Sequence, residues 1–201
     1  VDVSIHALTK YPSGGGDVLM GSISTIDSKL HMQIKLCHMR LGLGVGANDA
    51  EAVLRALPSI SLRYRAHDES TRVLAQWCLG RSEFAQVLHP SLPQSPGHAH
   101  WRDLCGEAPG AAAGLLSVIF KPSFSQAQVD AFCDALALFE IGYSWGRPVS
   151  LVVPYELASM RQSWPGYLAQ GTLVRFSVGL EATADLQSDL AHALDGLALR
   201  A

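Results

Sequence analysis

Short apolar runs with alternating character recur along the chain between longer stretches in which apolar side chains return every three to four residues. Together they predict a mixed α/β organisation. Val1 to Leu8 and Val18 to Ile23 read as strands, and the stretch around Ser28 to Leu41 has helical spacing that lets Leu30, Ile34 and Leu41 share a face. Asn48, followed by D-A-E-A-V-L-R-A-L, suits a helix start: its side chain can cap free N–H groups, and Asp49 and Glu51 favour the positive end of the dipole. Pro58 marks a break. The segment S-I-S-L-R-Y-R-A-H-D-E-S-T-R-V-L-A-Q-W-C-L-G then reads as a long helix closed by Gly80. Beyond it lie candidate strands at Ala85 to Leu88, Leu115 to Phe120, Ser150 to Val153 and Leu173 to Val178, with helices at Gln126 to Phe139 and Ala184 to Leu197. Ser91 to Gly97 is a loop rich in Pro, Gly and Ser. The expected division is an α/β part over residues 1–57 and an α+β domain over 58–201, the long helix linking them.

Composition supports a folded core. The chain has 201 residues, 48% hydrophobic and 16% charged, enough for one large domain or one and a half smaller ones. A formal charge of −3 and a pI near 6.2 argue against nucleic acid or an anionic membrane surface as the main partner. The richest apolar stretch, A-A-A-G-L-L-S-V-I-F, is shorter than the roughly 20 residues of a membrane helix. Cys37, Cys78, Cys105 and Cys133 are widely spaced with no C-x-x-C pair. That usage suits a reducing compartment such as the cytoplasm, and the cysteines are most simply core residues. His98 and His100 lack a nearby cysteine or acidic cluster to complete a metal site.

Three places carry candidate chemistry. Lys10 closes an apolar run and precedes P-S-G-G-G-D, a setting in which a rigid stem presents an amine that can hold an aldehyde cofactor. Thr9 beside it can hydrogen-bond a phosphate, and Gly14 to Gly16 allow close backbone approach. Arg175 interrupts the apolar strand L-V-R-F-S-V-G-L, so its guanidinium must reach a neighbouring acid or open onto a cleft. Tyr143, Ser144 and Trp145 stand before Gly146 in a turn. His6 either faces whatever Lys10 holds or is a satisfied core histidine.

From D-V-S-I-H-A-L-T-K-Y through D-V-L-M-G-S-I the sequence resembles the cysteine and methionine metabolism group of pyridoxal-phosphate enzymes, most closely its cystathionine β-lyases. G-Y-S-W-G (Gly142 to Gly146) and L-V-R-F-S-V-G-L-E (Leu173 to Glu181) resemble that family's two C-terminal signatures, in the same order. The resemblance implies the C-terminal part of a fold-type I large domain, then a smaller α+β domain. Lys10 would be the residue that holds pyridoxal 5'-phosphate and moves the Cα proton. Arg175 would be the fork for the substrate α-carboxylate, with Ser144 and Trp145 beside it. The implied reaction is β-elimination of L-cystathionine to homocysteine, pyruvate and ammonia, in methionine biosynthesis. A γ-synthase or γ-lyase would share the lysine and arginine, and a non-catalytic assembly module would keep only the fold. The family's homodimers, often paired into tetramers, are the expected assembly of the complete protein.

In the family the cofactor lysine lies near the middle of the chain, so roughly the first half of a family polypeptide is expected to be absent here. That half would bring most phosphate contacts, a ring stacked on the pyridine and the aspartate at its nitrogen. The chain also departs from the family pattern. Gly14, Gly15, Gly16 and Asp17 lack the usual histidine, and Ser177 stands where histidine is frequent. Arg147, Pro148, Val149 and Ser150 replace a glycine and a glutamate before the serine, an added cation and a lost carboxylate expected beside the substrate pocket.

Overall fold

A computed structural model describes residues 1–106 and 108–198, in two compact units, Val1–Ile60 and Ser61–Ala201.

In the first unit β1 (Ser4–Ala7) pairs antiparallel with β2 (Gly21–Ser24), in a register running from Ser4 opposite Ser24 to Ala7 opposite Gly21. Both strands are shorter than the sequence pattern suggests: beyond the Leu8 N–H, which donates to the Met20 carbonyl at 2.9 Å, residues 9 to 13 fold into a turn. The Ser13 N–H returns to the Leu8 and Lys10 carbonyls, and the Lys10 N–H to that of Ala7. α1 (Ser28–Arg40) starts at Asp27, whose Oδ1 accepts the Leu30 N–H at 2.8 Å. The face expected to carry Leu30, Ile34 and Leu41 has no buried residue, and Leu41 lies just beyond the helix, 67% exposed. α2 (Ala47–Ala56) is capped at Gly46, so Asn48 sits inside the first turn and not at the cap. Pro58 does not break the chain. It occupies the first turn of a 3-10 segment, Leu57–Ser59, where its missing N–H costs nothing, and the backbone runs on into α3 (Ile60–Leu79).

The second unit is built on a five-stranded sheet. Its strands are β3 (Phe84–Leu88), β4 (Leu115–Phe120), β5 (Glu140–Ile141), β6 (Leu151–Tyr155) and β7 (Leu173–Ser177). They lie in the order β3-β4-β7-β6-β5, antiparallel except for the β5/β6 pair. Alternation decides the two faces. Leu116, Val118 and Phe120 of β4, Val174 and Phe176 of β7 and Val152 of β6 join the buried core with Leu74 and Cys78 of α3. Helices α5 (Gln126–Asp134) and α7 (Thr183–Ala198) complete it with Val129, Phe132, Leu186, Leu190 and Leu194. Edge-to-face aromatic pairs knit it together, with Phe132 and Phe139 both against Phe176. Between β3 and β4 lies α4 (His98–Cys105), and α6 (Leu157–Met160) follows β6; the sequence pattern did not predict either helix. Cys78 and Cys133 are buried, with burial pushing both thiols up to about 12. Cys37 and Cys105 are exposed, which corrects the expectation that all four are core residues.

Candidate active site

Lys10 lies in the first unit, in the turn that follows β1 and not at the end of the strand itself. The turn is braced from within. Ser13, which is buried, donates its hydroxyl to the Thr9 and Lys10 carbonyls at 2.9 and 3.2 Å and accepts the Gly16 N–H at 3.1 Å. Thr9 Oγ1 donates to the Met20 carbonyl at 3.5 Å and accepts the Met20 N–H at 3.4 Å. In this structure the Thr9 hydroxyl therefore straps the turn to the residue before β2. The sequence pattern gave no sign of Ser13, whose job is to hold the backbone on both sides of Lys10 rigid. His6, opposite Ser22 in the ladder, is exposed, so it is not a core histidine.

The other candidates meet in the second unit. Arg175 lies at the middle of β7, flanked by Ser117 of β4 and Val153 of β6, on the face of the sheet away from Phe176. Its Nη2 donates to the Tyr143 carbonyl at 2.7 Å and to the Ser144 carbonyl at 3.4 Å. Its guanidinium carbon stands 5.7 Å from the ring centroids of both Trp145 and Tyr155, within cation–π range. Its Nε is buried and has no hydrogen-bond partner among the described residues. The sequence left open a salt bridge or a cleft, and no carboxylate pairs with Arg175 among the described residues. The guanidinium is thus held on one side by carbonyls and ring faces and faces no acid among the described residues.

The turn that meets Arg175 is fixed from below. After Trp145 the chain reverses at Gly146, whose φ of 72° suits glycine. The Pro148 carbonyl then accepts the Leu180 N–H at 2.8 Å. Glu181 grips Ser150, accepting its N–H at 2.7 Å and its hydroxyl at 2.8 Å, while Ser150 Oγ accepts the Gly179 N–H at 2.8 Å. The last residue of the L-V-R-F-S-V-G-L-E motif is therefore the clasp that joins the end of β7 to the start of β6.

Arg175 opens onto a hollow of about 390 Å3 shared with Ser117, Tyr155, Leu173 and, from α6 and its end, Leu157, Met160 and Arg161. Arg147 does not line this hollow. Tyr155 and Arg161 escaped the sequence reading. The strand was expected to stop at Val153, two residues before Tyr155, and α6 is too short to leave a periodic signal. Among the described residues no group of three or more His, Cys, Asp or Glu could hold a metal ion, and no helix is long and apolar enough to cross a membrane.

The fold defines the class first. A cystathionine gamma synthase from Xanthomonas oryzae pv. oryzae, solved with aminoacrylate and cysteine, superposes with a TM-score of 0.84 at 29% identity, over 99% of this chain and 51% of that one. A methionine gamma lyase from Micromonospora echinospora gives 0.82 at 30% identity, over 96% and 50%. The profile of the Cys/Met metabolism PLP-dependent enzymes matches residues 1–195. A cystathionine beta-lyase of Bordetella avium is 38% identical over 96% of this chain and 47% of its own length. That of Salmonella typhimurium is 35% identical over 95% and 48%. The chain belongs to the Cys/Met metabolism family of pyridoxal-phosphate-dependent enzymes, and it spans about half the length of the curated relatives it matches.

Proposed function

We propose that this chain is the lysine-bearing and carboxylate-binding part of a carbon–sulfur lyase that cleaves L-cystathionine by β-elimination to homocysteine, pyruvate and ammonia, a step of methionine biosynthesis. Arg175 carries the reading: a half-buried arginine, unpaired with any acid among the described residues, set between carbonyls and ring faces. Arg175 grips the α-carboxylate, while Ser144 and Trp145 stand against its guanidinium. Residues 1–57 form the end of the cofactor-binding domain and 58–201 the C-terminal domain.

The residues present fit the cofactor. Lys10 offers the primary amine that joins an aldehyde, on a turn that Ser13 makes rigid, and the Thr9 hydroxyl, at 3.5 Å from the Met20 carbonyl, would leave that long bond to donate to the phosphate. Bound there, pyridoxal 5'-phosphate supplies an electron sink for the pair left at Cα. Lys10 Nζ takes the Cα proton and returns a proton to the sulfur as the Cβ–S bond breaks. Arg175, by holding the α-carboxylate, fixes the orientation of the bonds at Cα.

A sister activity is the second reading, because γ-synthase and γ-lyase relatives superpose on essentially the whole chain. Both readings place the complete protein in a homodimer or homotetramer, and its free cysteines suit the cytoplasm. The complete reading frame that contains this chain, expressed and supplied with L-cystathionine, separates them. Pyruvate with homocysteine is the expected outcome, whereas α-ketobutyrate with cysteine assigns γ-elimination. Borohydride reduction followed by peptide mapping should place the cofactor mass on Lys10. A colourless protein with an unlabelled Lys10 would instead identify an assembly module.

A further inference from the structure

We infer that the hollow at His89, on the loop that follows β3, is a binding site for a small uncharged ligand with an apolar body and one hydrogen-bond acceptor at its end. It shares no lining residue with the hollow onto which Arg175 opens, and it stands independently of the lyase reading.

His89 comes directly after β3 and is 1% exposed. Its Nδ1 lies 2.7 Å from Ser91 Oγ and accepts the Ser91 N–H at 3.4 Å. A backbone N–H can only donate, so Nδ1 uses its lone pair and the neutral ring carries its proton on Nε2. Nε2 is thus a buried donor, and it has no hydrogen-bond partner among the described residues. An acceptor arriving in the hollow that His89 lines would relieve it.

The walls are fixed before any ligand arrives. On one side His98 holds Pro90, its Nδ1 donating to the Pro90 carbonyl at 2.7 Å. The other side is Tyr167 and Leu168, in the connection between β6 and β7. Gln86 of β3 donates its Nε2 to the Tyr167 carbonyl at 3.1 Å and accepts the Ala169 N–H at 2.8 Å. Trp164 Nε1 donates to the Leu168 carbonyl at 3.0 Å. A wall held this way loses little freedom when a ligand binds.

The lining sets the ligand class. Leu88, Pro90, Pro96 and Leu168 are apolar, Tyr167 adds a ring, and Ser95 and His89 are the polar members. One buried donor cannot replace the hydration of a full charge. Asp68 and Arg72, which both act on His89, already pair with each other at 2.9 Å. A carbonyl satisfies the single donor without that cost. The volume, about 260 Å3, lies below the roughly 300–1,000 Å3 of most small-ligand sites, so a single ring with a short substituent suits it.

Acetophenone and ethylbenzene differ in little but the carbonyl oxygen, and both serve as probes. The complete protein is titrated with each, and binding is read on the ligand by saturation-transfer NMR. Acetophenone should bind about tenfold more tightly, the scale of one hydrogen bond to a buried donor. Benzoate should fail to displace it. His89→Phe should bring acetophenone to the level of ethylbenzene. Tyr167→Ala, at a side chain 63% exposed and so without consequence for the fold, should weaken both probes about threefold through the lost ring contact. Equal binding of the two probes to the unsubstituted protein would overturn the inference, as would displacement of acetophenone by benzoate. A carbonyl preference that survives in both variants places the probe elsewhere and overturns it too. Should His89→Phe not fold, Tyr167→Ala and the comparison of probes on the unsubstituted protein decide the outcome.

Discussion

Arg175 combines in one side chain what a substrate anchor needs and what a strand interior normally forbids. On β7 its neighbours in sequence, Val174 and Phe176, are buried in the core, so only the outward position tolerates a cation. Its Nη2 bonds to Tyr143 and Ser144 and its rings at Trp145 and Tyr155 hold the fork in one orientation. Lysine keeps the charge and loses both the planar fork and the stacking. Arg175→Lys in the complete protein should lower kcat/KM about a hundredfold, with most of the loss in KM and little change in the denaturation midpoint. Steady-state kinetics beside a urea titration separates the two effects. At this scale the sequence was informative because a charged residue in an apolar strand stands out. Ser13 was not visible, since its role lies wholly in which backbone groups its hydroxyl reaches.

Elements were legible where one local signal dominated. β4 runs from Leu115 to Phe120 as the alternation predicts, and α3 ends at Leu79, before Gly80. The pattern failed where tertiary contacts override it. Gln126 to Phe139 reads as one helix, yet α5 stops at Asp134. Beyond it Asp189 of α7 accepts the Ala137 and Leu138 N–H groups, both at 2.8 Å, and turns the chain toward β5. No local window contains that information, because the carboxylate comes from the last helix. Asp189→Ala should cost about 1 kcal/mol, since water can reach the exposed Ala137 amide once the carboxylate is gone. Hydrogen exchange should quicken at Ala137 and Leu138 before it does in the core of β4. α4 was missed for a different reason: its N-cap, Gly97, offers no side-chain bond, and its start adjoins a loop-like Pro/Gly/Ser stretch.

At the scale of the molecule, the buried core cluster comes wholly from the second unit, Leu74 to Leu197. A fragment of residues 61–201 should therefore unfold cooperatively on heating, which calorimetry checks, whereas residues 1–60 alone should show no transition. Acid stability of the whole is set in part by buried histidines. Burial lowers His89 from its ordinary 6.5 to about 4; its Nδ1 lies 2.7 Å from Ser91 Oγ and its Nε2 has no partner among the described residues. Burial also lowers His67, against the opposing pull of the Val178 carbonyl. A depressed folded value means that the unfolded chain takes up the proton first. The stability is complete above about pH 6.5 and is lost as pH falls toward 4. The contribution of His89 is about 3 kcal/mol. Urea midpoints measured across that window should fall steeply, and His89→Gln should flatten the slope.

The alternation along β7 makes this strand a partition wall with two tenants, the greasy interior on one side and the hollow on the other. Because side chains change sides at every residue, the two can drift apart over evolutionary time: Ser117 and Leu173 are free to vary with the hollow while Val118, Val174 and Phe176 hold the building up. The same arrangement ties folding fidelity to function. A slip of one position in pairing would drive a guanidinium into the oil and a phenyl ring into water, so a chain that has closed its sheet at all has already aimed its arginine.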